Sequence, residues 1–326
     1  MRIACLALLF SSLAIAEEPV EIKIATLAPY GSAWAKIMEE GGRRLETETQ
    51  GRVKLRYYFS GSQGDERDVV RKMKLDQLDG AALTAVGLGI LSPSVFVLEL
   101  PYLFTTDQQI DHVRDKLGAE LESDLEKAGY VLISWGDVGW VHSFFTVELK
   151  SPSDLGKIKF WEWTDDPISR EMFKILGVNA VPLGVPEVLQ ALQTNSIQAL
   201  SAPPLAAVAL QWYTKLKFMT DRPPSYAVGA LVVKKAVLAR LTPADREVLL
   251  RSGREMGVKL TAAVRRDGER ATKAMVKSGI VLIHVPDDAQ AKLVAAGKEV
   301  WTRLAGKLYS KELLDRVIAA AAEVPF

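Results

Sequence analysis

The residues able to do chemistry are few and poorly grouped. Three histidines, His112, His142 and His284, stand far apart, and none has a second ligand at the short spacing a metal site needs. The single cysteine, Cys5, falls in the first apolar run of the chain, so thiol catalysis and disulfides are excluded once that run is removed. Glu162, Asp165 and Asp166 form an acidic group, but Asp166 precedes Pro167 and reads as a helix cap, and Glu187 opens a helix where a carboxylate suits the dipole. No G-x-S-x-G elbow or phosphate loop occurs, and Gly87-Leu88-Gly89 lacks the third glycine of a dinucleotide fingerprint. Neither an enzyme nor a cofactor is expected, because a nucleophile needs an adjacent base that this chain does not offer.

What stands out instead is aromatic. Trp34, Trp140, Trp161, Trp163, Phe160 and Trp212-Tyr213 fall at turns, strand ends and helix starts, where a side chain either packs in a core or faces a ligand. In a strand beginning at Lys157, alternate side chains point opposite ways, so Lys159 and Trp161 share one face and Phe160 takes the other.

The elements that must position these residues follow from periodicity. Ile22 and Ile24 mark a strand, and the turn at Pro29-Tyr30-Gly31-Ser32 leads into a helix carrying Trp34, Ile37, Met38 and Leu45. The period-two run Val53, Leu55, Tyr57, Phe59 completes a βαβ unit. A charged helix over 65–78, a buried strand over 81–85, and a helix striped by Ile110, Val113, Leu117, Leu121 and Leu125 carry the alternation to a strand over 130–135. A second cycle begins near Ser151, with a strand over 157–163, a helix from Asp166 to Gly177, and strand, helix and strand over 180–183, 186–193 and 197–200. This alternation predicts an α/β fold.

Thr242-Pro243-Ala244-Asp245 starts a helical pattern that nothing breaks firmly before Gly279, although Gly253, Gly257 and Gly268 weaken it. Continuous, it would extend roughly 55 Å, long enough to brace two domains. A strand over 280–285 and helices over 289–304 and 311–322 close the chain.

Arg2, the apolar run Ile3 to Phe10, and Ala14 and Ala16 before Glu17 have the layout of a cleavable export signal. The mature protein is therefore expected in the periplasm. Forty-one basic and forty acidic residues leave no basic surplus for nucleic acid.

Several segments together resemble the DctP family of tripartite ATP-independent periplasmic (TRAP) solute-binding proteins. They are Thr49-Gln50-Gly51-Arg52-Val53, Gly61-Ser62-Gln63-Gly64-Asp65-Glu66-Arg67, Leu100-Pro101-Tyr102-Leu103-Phe104, and Pro186 to Thr194, in the family's order and spacing. The resemblance implies two α/β lobes joined by crossing strands, a cleft between them, a long helix across both, and delivery of a small molecule to membrane permease subunits without ATP hydrolysis. Lobe I is expected over 17–141 and 230–266, after a signal over 1–16, and lobe II over 142–229 and 267–326.

The sequence departs from the family where acids are held. The arginine of a K-I-R segment is Lys159 in Lys157-Ile158-Lys159, and the arginine expected after a G-F motif is Val141 in Gly139-Trp140-Val141-His142. The D-G-Q-E-N stretch becomes Gln198-Ala199-Leu200-Ser201-Ala202. An ammonium cannot reproduce the paired hydrogen bonds of a guanidinium, so a simple dicarboxylate or sialic-acid-like ligand is disfavoured. The expected ligand-binding residues are Trp34, Trp140, Val141, Lys159, Trp161, Leu189, Ser201 and Ala202, around a neutral or apolar ligand. A periplasmic receptor serving a sensor or helical-repeat partner, and an organic-acid binder using Lys159, are the alternatives.

Overall fold

The computed structural model describes residues 18–149 and 152–324; the expected signal and Cys5 lie outside the described residues. The chain runs β1 (Val20–Thr26), α1 (Ala33–Glu48), β2 (Val53–Tyr58), α2 (Glu66–Lys74), β3 (Gly80–Thr84), α3 (Ala85–Leu91), a 3-10 turn (Pro93–Glu99), α4 (Asp107–Lys127) and β4 (Tyr130–Phe145). It continues through β5 (Lys159–Trp163), α5 (Pro167–Leu176), β6 (Asn179–Leu183), α6 (Val188–Gln193), β7 (Ala199–Ala202), α7 (Pro204–Ala209), β8 (Phe218–Thr220) and β9 (Ser225–Lys234). Then come α8 (Lys235–Ala239), α9 (Pro243–Lys277), β10 (Val281–Ile283), α10 (Asp287–Leu304) and α11 (Lys311–Ala322).

Strands follow the order β2-β1-β3-β9-β4-β7-β5-β6, with β8 on β4 and β10 on β8. One strand serves both lobes. β4 pairs antiparallel with β9 from Tyr130 to Val141, then with β7 from His142 to Phe145. The periodicity predicts only 130–135 of this strand, because Gly136, Asp137 and Gly139 interrupt the apolar pattern; two register shifts in the β4–β9 ladder absorb the irregularity.

Local signals explain why these elements form. Ile22 and Ile24 are fully buried between α1 and the long helix, as their alternation demands. The stripe on α4 is buried at every predicted position, each side chain contributing roughly 1.5–3 kcal/mol by leaving water, and Thr106 caps its first turn. Ser32 and Asp166 cap α1 and α5 through their side-chain oxygens.

α9 is unbroken over its 35 residues and lies against α1 and β4 of the first lobe and α7 of the second. The glycines that weaken its pattern earn their place by close approach. A Cβ on Gly253 would sit 2.2 Å from Ile133 Cγ2, and one on Gly257 would sit 2.5 Å from the Trp135 carbonyl oxygen, so their absence lets the helix press onto β4.

Two segments sit differently from the lobe boundaries expected from sequence. β9 pairs with β3 and β4 along its length, which draws residues 225–229 into the first sheet. The terminal helices, expected with lobe II, place Val300, Trp301, Leu304, Leu313, Leu314 and Val317 in the cluster built on α4 and the Pro93–Glu99 turn. Trp301 donates its indole N–H to the Pro101 carbonyl at 2.9 Å, and α10 also packs on α5, so these helices clasp both lobes.

Candidate ligand-binding cleft

Between the lobes lies a cavity of about 790 Å³. The first lobe contributes the turn after β1 with the start of α1, the ends of β3 and β9, and Glu99, Pro101 and Tyr102; the second contributes Trp161 and Trp163 of β5, the face of α5, and Ser201 to Pro203. The walls are mainly apolar, and five of the seven tryptophans, Trp34, Trp135, Trp161, Trp163 and Trp212, line them.

Five of the eight residues singled out from sequence share this cavity: Trp34, Val141, Trp161, Ser201 and Ala202. Trp34 donates its indole N–H to the Asp137 carbonyl at 3.2 Å, and Trp161 donates to the Leu183 carbonyl at 2.9 Å, so both rings are held with their edges satisfied. Ser201 faces Ser143 across the β4–β7 ladder, their hydroxyls 3.1 Å apart.

The other three stand elsewhere, each for a simple reason. Trp140 alternates with Val141 and points the other way, donating to Asp107 Oδ1 at 2.8 Å and packing edge-on against Tyr226. Lys159 shares a strand face with Trp161 but opens β5, whereas the cleft lies at the carboxyl end of that strand beside Trp163; its backbone pairs with Gln198 and the residue is exposed. Leu189 packs against the second-lobe core from α6. The histidines are also placed: His142 shares a hydrogen bond with the Thr220 carbonyl, and His284 pairs with Asp221.

Charge in the cleft is almost wholly acidic. Glu66, Glu99, Asp137 and Asp166 line it, and its only basic lining residues among those described are His284 and the exposed Lys292. Glu66 accepts from the Thr84 N–H at 2.8 Å, the Thr84 hydroxyl at 2.9 Å and the Gly87 N–H at 2.6 Å. Burial nonetheless pushes its carboxyl up to about 7 against the pull of those donors. Asp166 is raised by burial as well, although it caps α5 through the Ile168 and Ser169 amides.

Asp137 differs. Its fully buried carboxylate accepts from Arg114 Nη1 at 2.6 Å, Tyr226 Oη at 2.5 Å and Arg265 Nε at 3.1 Å, and both arginines continue to Asp111. The cluster ties β4, β9, α4 and α9 together where β4 leaves the first lobe. Sequence reasoning missed Glu99 and Asp137, since an isolated Glu or Asp in an α/β chain carries no spacing signal, and read Asp166 as a helix cap alone; Glu66, at the end of the glycine-rich segment where α2 begins, sits in a motif that flagged its surroundings.

At the mouth the lobes touch. Trp163 donates its indole N–H to Asp65 Oδ2 at 2.9 Å, and Arg67 bridges to Asp165 at 2.6 Å. Side chains from both lobes therefore meet beside the cleft.

Comparison with known proteins agrees with this architecture. Residues 24–308 match the model of the DctP family, bacterial extracellular solute-binding protein family 7. The 2,3-diketo-L-gulonate-binding periplasmic protein of Escherichia coli K12 is 24% identical over 73% of this chain and 73% of its own. The sialic acid-binding periplasmic protein of Vibrio cholerae is 21% identical over 88% of this chain and 89% of its own. Among solved structures, a TRAP periplasmic solute-binding protein from Ralstonia eutropha H16 with bound (S)-2-acetolactate superposes with a TM-score of 0.87 at 22% identity, covering 94% of this chain and 99% of the other. The sugar acid-binding protein from Advenella mimigardefordensis in complex with galactonate gives the same TM-score at 19% identity, covering 94% of this chain and 99% of its own. The crossing β4, the interlobe cavity, the brace along α9 and the family match together make this chain a member of the DctP family of TRAP transporter solute-binding proteins, a family of periplasmic binders and not of enzymes.

Proposed function

We propose that the cargo is a neutral or largely apolar small molecule, bound between the lobes for transport with membrane permease subunits. The observation that carries this reading is the lining itself: tryptophans and aliphatic side chains from both lobes, with no arginine among the described lining residues. The relatives named above take acids, and a carboxylate taken from water without a partner loses several kcal/mol, enough to abolish useful affinity. Lys159, which holds the position of the family's gripping arginine, lies outside the cavity lining, and Lys292 within it is exposed.

Trp34, Val141, Trp161, Ser201 and Ala202 are the contacts expected for such a molecule. The aromatic walls supply area, and Ser143 and Ser201 supply the few polar groups that orient it. Native mass spectrometry of the purified periplasmic protein, followed by extraction and identification of what it carries, tests the reading. An apolar adduct is expected. A sugar acid or dicarboxylate as the co-purifying species, with no apolar compound competing for it, overturns the assignment.

A further inference from the structure

The apolar cleft holds one acid with an unfinished set of partners. Glu99 ends the Pro93–Glu99 turn, lines the cavity, and accepts one hydrogen bond within the described residues, from the Val228 N–H to Oε1 at 2.7 Å. Its second oxygen has no donor among the described residues. Glu66, at the start of α2, and Asp166, at the cap of α5, are close enough for their charges to act on it, and no basic group does so. The Tyr102 phenol, which also lines the cavity, is pushed up to about 12 by burial and stays neutral.

A negative ligand group in this region meets three carboxylates and no cation. A positive one is favoured by all three, and it is also the charge that tryptophan faces attract. We propose that the cleft selects an apolar molecule ending in an ammonium group, which donates to the free oxygen of Glu99. This rests on the reading that the body of the cargo is apolar, and adds the chemistry of its polar end. Burial holds the Glu99 carboxyl well above its ordinary range in the empty cleft, so seating an ammonium there drives a proton off the protein.

The test compares 1-octylamine, 1-octanol, octanoate and D-glucuronate on the mature protein by tryptophan fluorescence and calorimetry at pH 7. Octylamine is expected to bind at least about tenfold more tightly than octanol, a factor typical of a hydrogen bond to a charged group, with octanoate weaker still. Calorimetric heats in buffers of different ionisation enthalpy are expected to show proton release with octylamine and none with octanol. Glu99→Gln keeps the Val228 bond through its carbonyl oxygen but turns an amide NH₂ to the cleft, so it should bring octylamine down to the level of octanol and abolish the release. Octanol or octanoate matching octylamine in the wild type, or binding without proton release, removes the head-group inference while the apolar reading stands. D-Glucuronate binding with no response to the three octyl compounds overturns both, and silence from all four counts against both.

Discussion

Two groups of buried acids line the same cleft and are treated in opposite ways. Asp137 is matched by Arg114, Arg265 and the Tyr226 hydroxyl, so its charge is fully answered. Glu66 and Asp166 are answered by backbone amides and hydroxyls, and Glu99 by a single amide. The difference teaches where the arginines near this cleft are spent: they fasten β4 to α4 and α9, and none lines the cavity among the described residues. One set of carboxylates is architecture, and the other sets the electrostatic character of the pocket.

The sharpest way to break that contrast is Asp137→Ala. It removes the buried carboxylate shared by Arg114, Arg265 and the Tyr226 hydroxyl, leaving the half-buried guanidinium groups to Asp111, and removing one partner of a buried ion pair costs about 3–5 kcal/mol. Urea unfolding should show a loss of that size. A loss under 1 kcal/mol would mean that the cluster is not structural.

The acidic side is read by pH. A carboxyl whose pKa is higher folded than unfolded stabilises fully below its unfolded value and loses that contribution as pH climbs through the folded one. For Glu66 the interval runs from 4.5 to about 7 and corresponds to roughly 3 kcal/mol. The difference in unfolding free energy between wild type and Glu66→Gln should therefore shift across pH 4.5 to 7 in the direction of a less stable wild type at the upper end. Parallel curves for the two chains would show that Glu66 is ionised throughout, and the contrast with Asp137 would shrink to one of partners.

The smallest effect belongs to the mouth. Arg67 is largely exposed in its bridge to Asp165, so Arg67→Ala should change stability by less than about 1 kcal/mol. Because the bridge joins the two lobes, the expected signature is faster dissociation of a bound probe, followed by stopped-flow tryptophan fluorescence, with an unchanged melting temperature. An unchanged off-rate would show that closure is held by Trp163 and Asp65 alone.

Much of the fold is legible in the chain. The cap and proline at Thr242-Pro243 start α9 where the pattern says, and α10 and α11 fall within a few residues of their predicted ranges, because amphipathic periodicity is a local signal. β4 beyond Trp135 is hidden, since its irregular residues are tolerated only because β9 pairs with it from about 90 residues later. The site is half legible for the same reason. Val141, Ser201 and Ala202 follow from motif positions, whereas the inward turn of Glu66 and Glu99 depends on Thr84, Gly87 and Val228, partners that lie 18, 21 and 129 residues away.

The late arrival of β9 also bears on the order of assembly. It sits inside the first sheet, between β3 and β4, yet is the ninth of the ten described strands to be synthesised. Until residue 234 has emerged, β4 has no strand joining it to the sheet begun at residue 20. The N-terminal half therefore has no finished body of its own to settle into, and making that join is a long-range step of the kind that makes folding slow.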